Sequence, residues 1–168
     1  WVAGDGATDN GAGSSVVMEA ARILTKLGVK PKRTIRFVLW TGEEQGLLGS
    51  LAYVDKYLAS RPGPTAGEDG NALYAGWPYR FPITPRPGYG DLKAYFNMDN
   101  GSGKLRGIHA EGNVAAVPLL AEWLAPFASM GAGKVVAAPT GGTDHVYMQS
   151  VGAPGLQFIQ DPLDYSSR

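Results

Sequence analysis

The chain has 168 residues, 44% of them hydrophobic and 18% charged, which suits one folded domain and excludes a disordered acidic chain. Fifteen Lys+Arg offset fifteen Asp+Glu, without the basic excess of a dedicated nucleic-acid binder. Cysteine is absent, excluding a disulfide scaffold, a thiolate metal site and a cysteine nucleophile, and no apolar run approaches the ~18–20 residues of a spanning helix.

In chain order, "GDGATDNGAG" (4–13) reads as a loop. Val16, Val17, Ala20, Ile23, Leu24 and Leu27 recur at helical spacing and predict a helix over 14–28 that stops at Gly28. "TIRFVLW" (34–40) predicts a central strand covered on both faces. A helix follows over about 47–58. Residues 61–90 change character: six of the twelve prolines fall there, interleaved with Tyr74, Trp77, Tyr79, Phe81 and Tyr89. Long irregular excursions of this kind tend to be functional. Strands at 92–97 and 104–109, a helix at 114–129, a strand at 134–137, a helix at 143–151 and a strand at 155–159 complete the pattern. The alternation predicts an α/β fold, a three-layer α/β/α sandwich with a mostly parallel central sheet. Residues 1–168 read as one partial domain, cut from a longer protein: the chain opens on Trp1 in a loop and closes at "DPLDYSSR" with no helix after the last strand.

Ligands of such sheets bind beyond the carboxyl ends of the strands. The polar clusters fall at those ends: "TDNGAG" with Asp9, "TGEEQG" with Glu43 and Glu44, "NMDNGSG" with Asp99, and "GGTDH" with Asp144 and His145. Four converging carboxylates would repel one another or take up protons. Two divalent metals remove the difficulty, with one carboxylate bridging them and another left as general base. Adjacent Glu43 and Glu44 can divide those tasks, because consecutive side chains in an extended segment point apart. Plainer readings stand beside this one. A Glu-Glu pair in a loop is usually only solvated, Asp9 suits a helix start, and Asp99-Asn100-Gly101 is an ordinary turn signal. The aromatics at 74–89 are either a small satellite core or a wall that selects substrate. His109 reads as a surface or partly buried histidine.

"GDGATDNGAG", "RTIRFVLWTGEEQGLLGS", "YFNMDNGSGK" and "GGTDH…VGAPGLQFIQDPLDY" together resemble the two-zinc exopeptidases of metallopeptidase family twenty-eight. These include bacterial leucyl-type aminopeptidases and a carboxypeptidase Q-like branch, to which "FNMDNGSGKLRGI" is most similar. The resemblance implies a metallopeptidase acting on a terminal bond of a peptide or dipeptide, with two zinc ions as cofactors, in a secreted or periplasmic setting. It implies Asp9 as the carboxylate bridging the zincs, Glu44 as a ligand of one and Asp99 of the other. It implies Glu43 as the catalytic general base, taking the proton of the attacking water. Asp144 and His145 would stand at the rim, steadying a ligand or a loop. Each zinc in the family also takes a histidine from segments flanking the equivalent of 1–168, so this chain by itself is expected to bind zinc weakly and to be nearly inactive. A homologue that has lost catalysis and serves as a binding or interaction domain is the alternative, and retention of Glu43 argues against it. Amino- versus carboxy-terminal specificity stays open. Arg80 or Arg86 could pair with a substrate carboxylate.

Overall fold

The structure, a computed structural model, describes residues 4–63 and 75–165. Its helices are α1 (Ala12–Lys26), α2 (Leu48–Tyr53), α3 (Val117–Leu124) and α4 (His145–Ser150). Its strands are β1 (Ala59–Ser60), β2 (Thr84–Pro85), β3 (Tyr95–Asn97), β4 (Leu105–His109), β5 (Lys134–Val136) and β6 (Gly155–Gln160). These form two compact units. The first comprises Trp1–Leu39, Met98–Ala137 and Phe158–Arg168, the second Trp40–Asn97 and Ala138–Gln157.

In the first unit, α1 ends where Gly28 turns to φ 63 and donates its N–H to the Thr25 carbonyl. The apolar residues of α1 wrap most of the way round the helix, and only part of that stripe is covered. Val17, Ala21 and Leu24, spaced for one face, are half-buried, whereas Val16, Ala20, Ile23 and Leu27 are exposed. β4 and β5 pair in parallel from Gly107↔Lys134 to His109↔Val136, and α3 packs on β5. Ile108 and Leu120 are buried there, and His109 is half-buried at the end of β4. The second half of β6 lies in this unit, and in the strand order β6 neighbours β4.

The segment 34–40 departs from its prediction. It forms no ladder, and Ile35, Phe37, Val38 and Leu39 are 37–58% exposed. A strand exists only through its pairing. Branched and aromatic residues report a preference for pleated, covered surroundings, and among the described residues no strand pairs with this segment.

In the second unit, β3 pairs in parallel with the first half of β6, from Tyr95↔Gly155 to Asn97↔Gln157. The predicted helix over 47–58 is α2 followed by a wider, π-helical turn at Val54–Leu58. Leu51, Val54 and Leu58 from this stretch meet Tyr147, Met148 and Val151 in the core. The excursion that follows is pinned at its base, where β1 and β2 pair antiparallel. Trp77 joins the main core, 6% exposed and edge-on to Tyr147 at 5.6 Å, so it does not form a separate satellite cluster. The Arg61 guanidinium lies 5.1 Å from the Trp77 ring and 4.8 Å from that of Phe81, and donates to the carbonyls of Arg80 and Ser150. One cation thus fastens the excursion to the end of α4. Tyr79 stands 80% exposed. Tyr74 lies outside the described residues. No helix among the described residues is long and apolar enough to cross a membrane.

Candidate metal centre

The loop before α1 and the loop after β3 carry the first two predicted ligands, and both lie in the first unit. Asn10, next to Asp9, locks the two loops together. Its Nδ2 donates to the Met98 carbonyl at 3.0 Å, and its Oδ1 accepts the Gly13 N–H in the first turn of α1 at 3.0 Å. The Asp9–Asn10 peptide is cis. Gly13 makes the close approach possible, because a Cβ there would land on Asn10 Oδ1 and on the Met98 carbonyl oxygen. Gly13→Ala is therefore expected to cost about 1–3 kcal/mol of stability, as overpacking usually does. Urea unfolding would check this, and an unchanged midpoint would contradict it.

Asp9 and Asp99 come together at a single point. The hydroxyl of Tyr165 donates to Asp9 Oδ1 at 2.9 Å and also lies within hydrogen-bond reach of Asp99 Oδ1. Burial, then the hydrogen bond and charge of Asp99, then those of Asp9, hold the Tyr165 phenol far above its ordinary range, so it is a neutral donor. A phenol has one proton and can satisfy one acceptor at a time. Two carboxylates gathered on one such donor carry more negative charge than it offsets, and carboxylate oxygen is a zinc ligand. The pair therefore fits a divalent cation. Among the described residues, no group of three or more His, Asp and Glu side chains is arranged to hold a metal ion.

Glu43 and Glu44 lie in the second unit. They occupy a tight turn, which corrects the extended segment expected from sequence. The Glu43 carbonyl accepts the N–H groups of Gly46 at 3.0 Å and Leu47 at 2.8 Å. The turn depends on left-handed backbone at Gly42, Gly46 and Leu47, with φ 68, 111 and 58. It sits against the start of α2, where Leu48 N–H reaches the Gly42 carbonyl and Gly49 N–H the Thr41 carbonyl. The two carboxylates still differ, because Glu43 is half-buried and Glu44 exposed. A groove beside the turn is lined by Gln45, Leu47, Pro78, Tyr79, Val146 and Tyr147, and the Tyr147 hydroxyl donates to the Gly46 carbonyl at 3.3 Å.

Asp144 and His145 are buried at the start of α4, 4% and 0% exposed. The Ser50 hydroxyl donates to Asp144 Oδ1, tying α2 to the α4 start. Arg86 Nε donates to the Asp55 carbonyl at 2.9 Å, so this guanidinium serves the fold of the excursion. The sequence reading passed over two residues, Asn10 and Tyr165. An Asn beside a helix start was a usable signal for the first. Nothing local marked the second.

Helices and parallel strand pairs give the chain an α/β fold, and the sequence pattern of Peptidase family M28 matches residues 1–166. The chain belongs to Peptidase family M28. Its similarity to carboxypeptidase Q of Xenopus laevis is 49% identity over 55 residues, 33% of this chain and 12% of that protein. Carboxypeptidase Q of Bos taurus is 47% identical over 60 residues, 36% of this chain and 13% of that one. A Peptidase M28 precursor from Shewanella amazonensis SB2B matches in structure with TM-score 0.67 at 26% identity, covering 98% of this chain and 31% of that chain. A zinc aminopeptidase from Bacillus subtilis shares the fold with TM-score 0.58 at 24% identity, covering 97% and 34%. The chain thus spans about a third of the length of these structures.

Proposed function

We propose that the full-length protein is a zinc-dependent exopeptidase, hydrolysing a terminal bond of a peptide or dipeptide. Membership of Peptidase family M28 supports the reading, and the single observation that carries it is the meeting of the Asp9 and Asp99 carboxylates. Asp9 would bridge two zinc ions, Asp99 would hold one of them and Glu44 the other. Bound zinc would polarise the scissile carbonyl and ease deprotonation of water. Glu43 takes the proton of the attacking water on its carboxylate and returns it to the leaving amine. A tight turn holds its backbone, so the carboxylate is presented from a fixed base. The groove beginning at Gln45 is placed on the same turn and would receive a substrate side chain.

The test is metal removal. Dialysis of the full-length protein against a chelator should abolish hydrolysis of dipeptides, and added zinc should restore it. Activity that survives chelation would contradict the metallopeptidase reading. Zinc binding without hydrolysis of any dipeptide, free or blocked at either end, would instead favour a binding domain.

A further inference from the structure

We propose that Tyr165 is a positioning residue for the metal-binding pair, its hydroxyl holding Asp9 and Asp99 at the spacing a divalent cation needs. This rests on the reading that these carboxylates take zinc. The phenol lies on Oδ1 of each carboxylate, so one hydroxyl touches both members of the pair. Ligating carboxylates are themselves usually hydrogen-bonded, and such partners fix their orientation.

The segment that delivers Tyr165 is fastened to both loops it serves. On the Asp99 side, Gly103 N–H reaches the Asp161 carbonyl at 2.8 Å, and Asp161 N–H reaches that of Lys104 at 3.0 Å. Ser102 Oγ donates to the Leu163 carbonyl at 2.6 Å. Arg106 grips the Asp161 carboxylate as a fork, with Nε to Oδ1 at 2.9 Å and a terminal nitrogen to Oδ2 at 2.6 Å. Gly101 and Gly103 allow the approach, since a Cβ at either would stand 2.7 Å from the Asp161 carbonyl oxygen. On the Asp9 side, Thr8 Oγ1 donates to the Asp164 carbonyl at 3.3 Å. Just before Tyr165 the backbone turns left-handed at two successive non-glycine residues, Leu163 at φ 36 and Asp164 at φ 53. Such conformations cost energy and persist where surrounding contacts impose them, often around functional groups. Here they aim the phenol at the two carboxylates.

The test is zinc affinity in the full-length protein, read by competition with a chromogenic chelator. Tyr165→Phe keeps the ring and removes the hydroxyl, and is expected to weaken zinc about 10–100-fold, the usual cost of losing such a partner. The cobalt-substituted variant should show shifted d–d absorption. A purely structural role would lower the melting temperature of the metal-free protein and leave affinity and spectrum unchanged, overturning the proposal. Tighter zinc binding would overturn it too, making the hydroxyl a competitor. Ser102→Ala, which loosens the segment without touching the phenol, should weaken zinc in the same direction by less, and wild-type affinity there would count against the proposal. If the wild-type protein binds no zinc, the metallopeptidase reading itself falls; if only the variants behave as wild type, the role of Tyr165 alone falls.

Discussion

Glu43→Gln is expected to lower kcat by about 10²–10⁴-fold, the range a general base contributes, while zinc content stays at the wild-type level. The substitution keeps the shape of the side chain and removes only its ability to accept a full proton. The turn should survive, because it is built from backbone: the Glu43 carbonyl, the Gly46 and Leu47 N–H groups and left-handed Gly42. Steady-state kinetics on a dipeptide, with metal analysis of the same preparation, would check this. If zinc and turnover disappear together, Glu43 is a ligand and the roles of Glu43 and Glu44 are exchanged.

Asp9→Asn is expected to remove zinc, and activity with it. Asp9 is the proposed bridge, so one substitution should weaken both sites. The carboxylate offers a full negative charge at a point where Asp99 already brings another, and that excess is what makes the pair attractive to a divalent ion. An amide carries no charge, and its N–H can donate to the neighbouring carboxylate, closing the pair on itself. The loss should exceed the ~10–100-fold that changes outside the ligand set cost. Stability of the metal-free chain should change little, because the direct hydrogen bond between the two loops, from Asn10 to the Met98 carbonyl, stays in place.

How far the sequence reached depended on whether the deciding contact was local. α1, β4, β5, α4 and β6 appear within a few residues of where periodicity and branched runs put them, since each pattern is carried by neighbours in the chain. The segment 34–40 carries an equally strong pattern yet forms no ladder among the described residues, because pairing is a property of two segments and the pattern belongs to one. The glutamate pair was placed in an extended stretch, although the glycines bracketing it in "TGEEQG" are the ordinary mark of a turn. Asp9, Glu43, Glu44 and Asp99 were picked out by chemistry and by resemblance. The meeting of Asp9 with Asp99 is made by partners far away in the chain: Asn10 with Met98 across 88 positions, and Tyr165 with Asp9 across 156. No spacing rule reaches that far. Trp77 became part of the main core for the same reason, through Tyr147 and Arg61.

The proposed function requires Asp9 and Asp99 to be metal ligands. It is tested most directly by zinc per chain, measured by atomic absorption after exhaustive dialysis, in full-length wild-type protein and its Asp9→Asn variant. Zinc should be present in the wild type and at a background level in the variant. Equal zinc in both would contradict it.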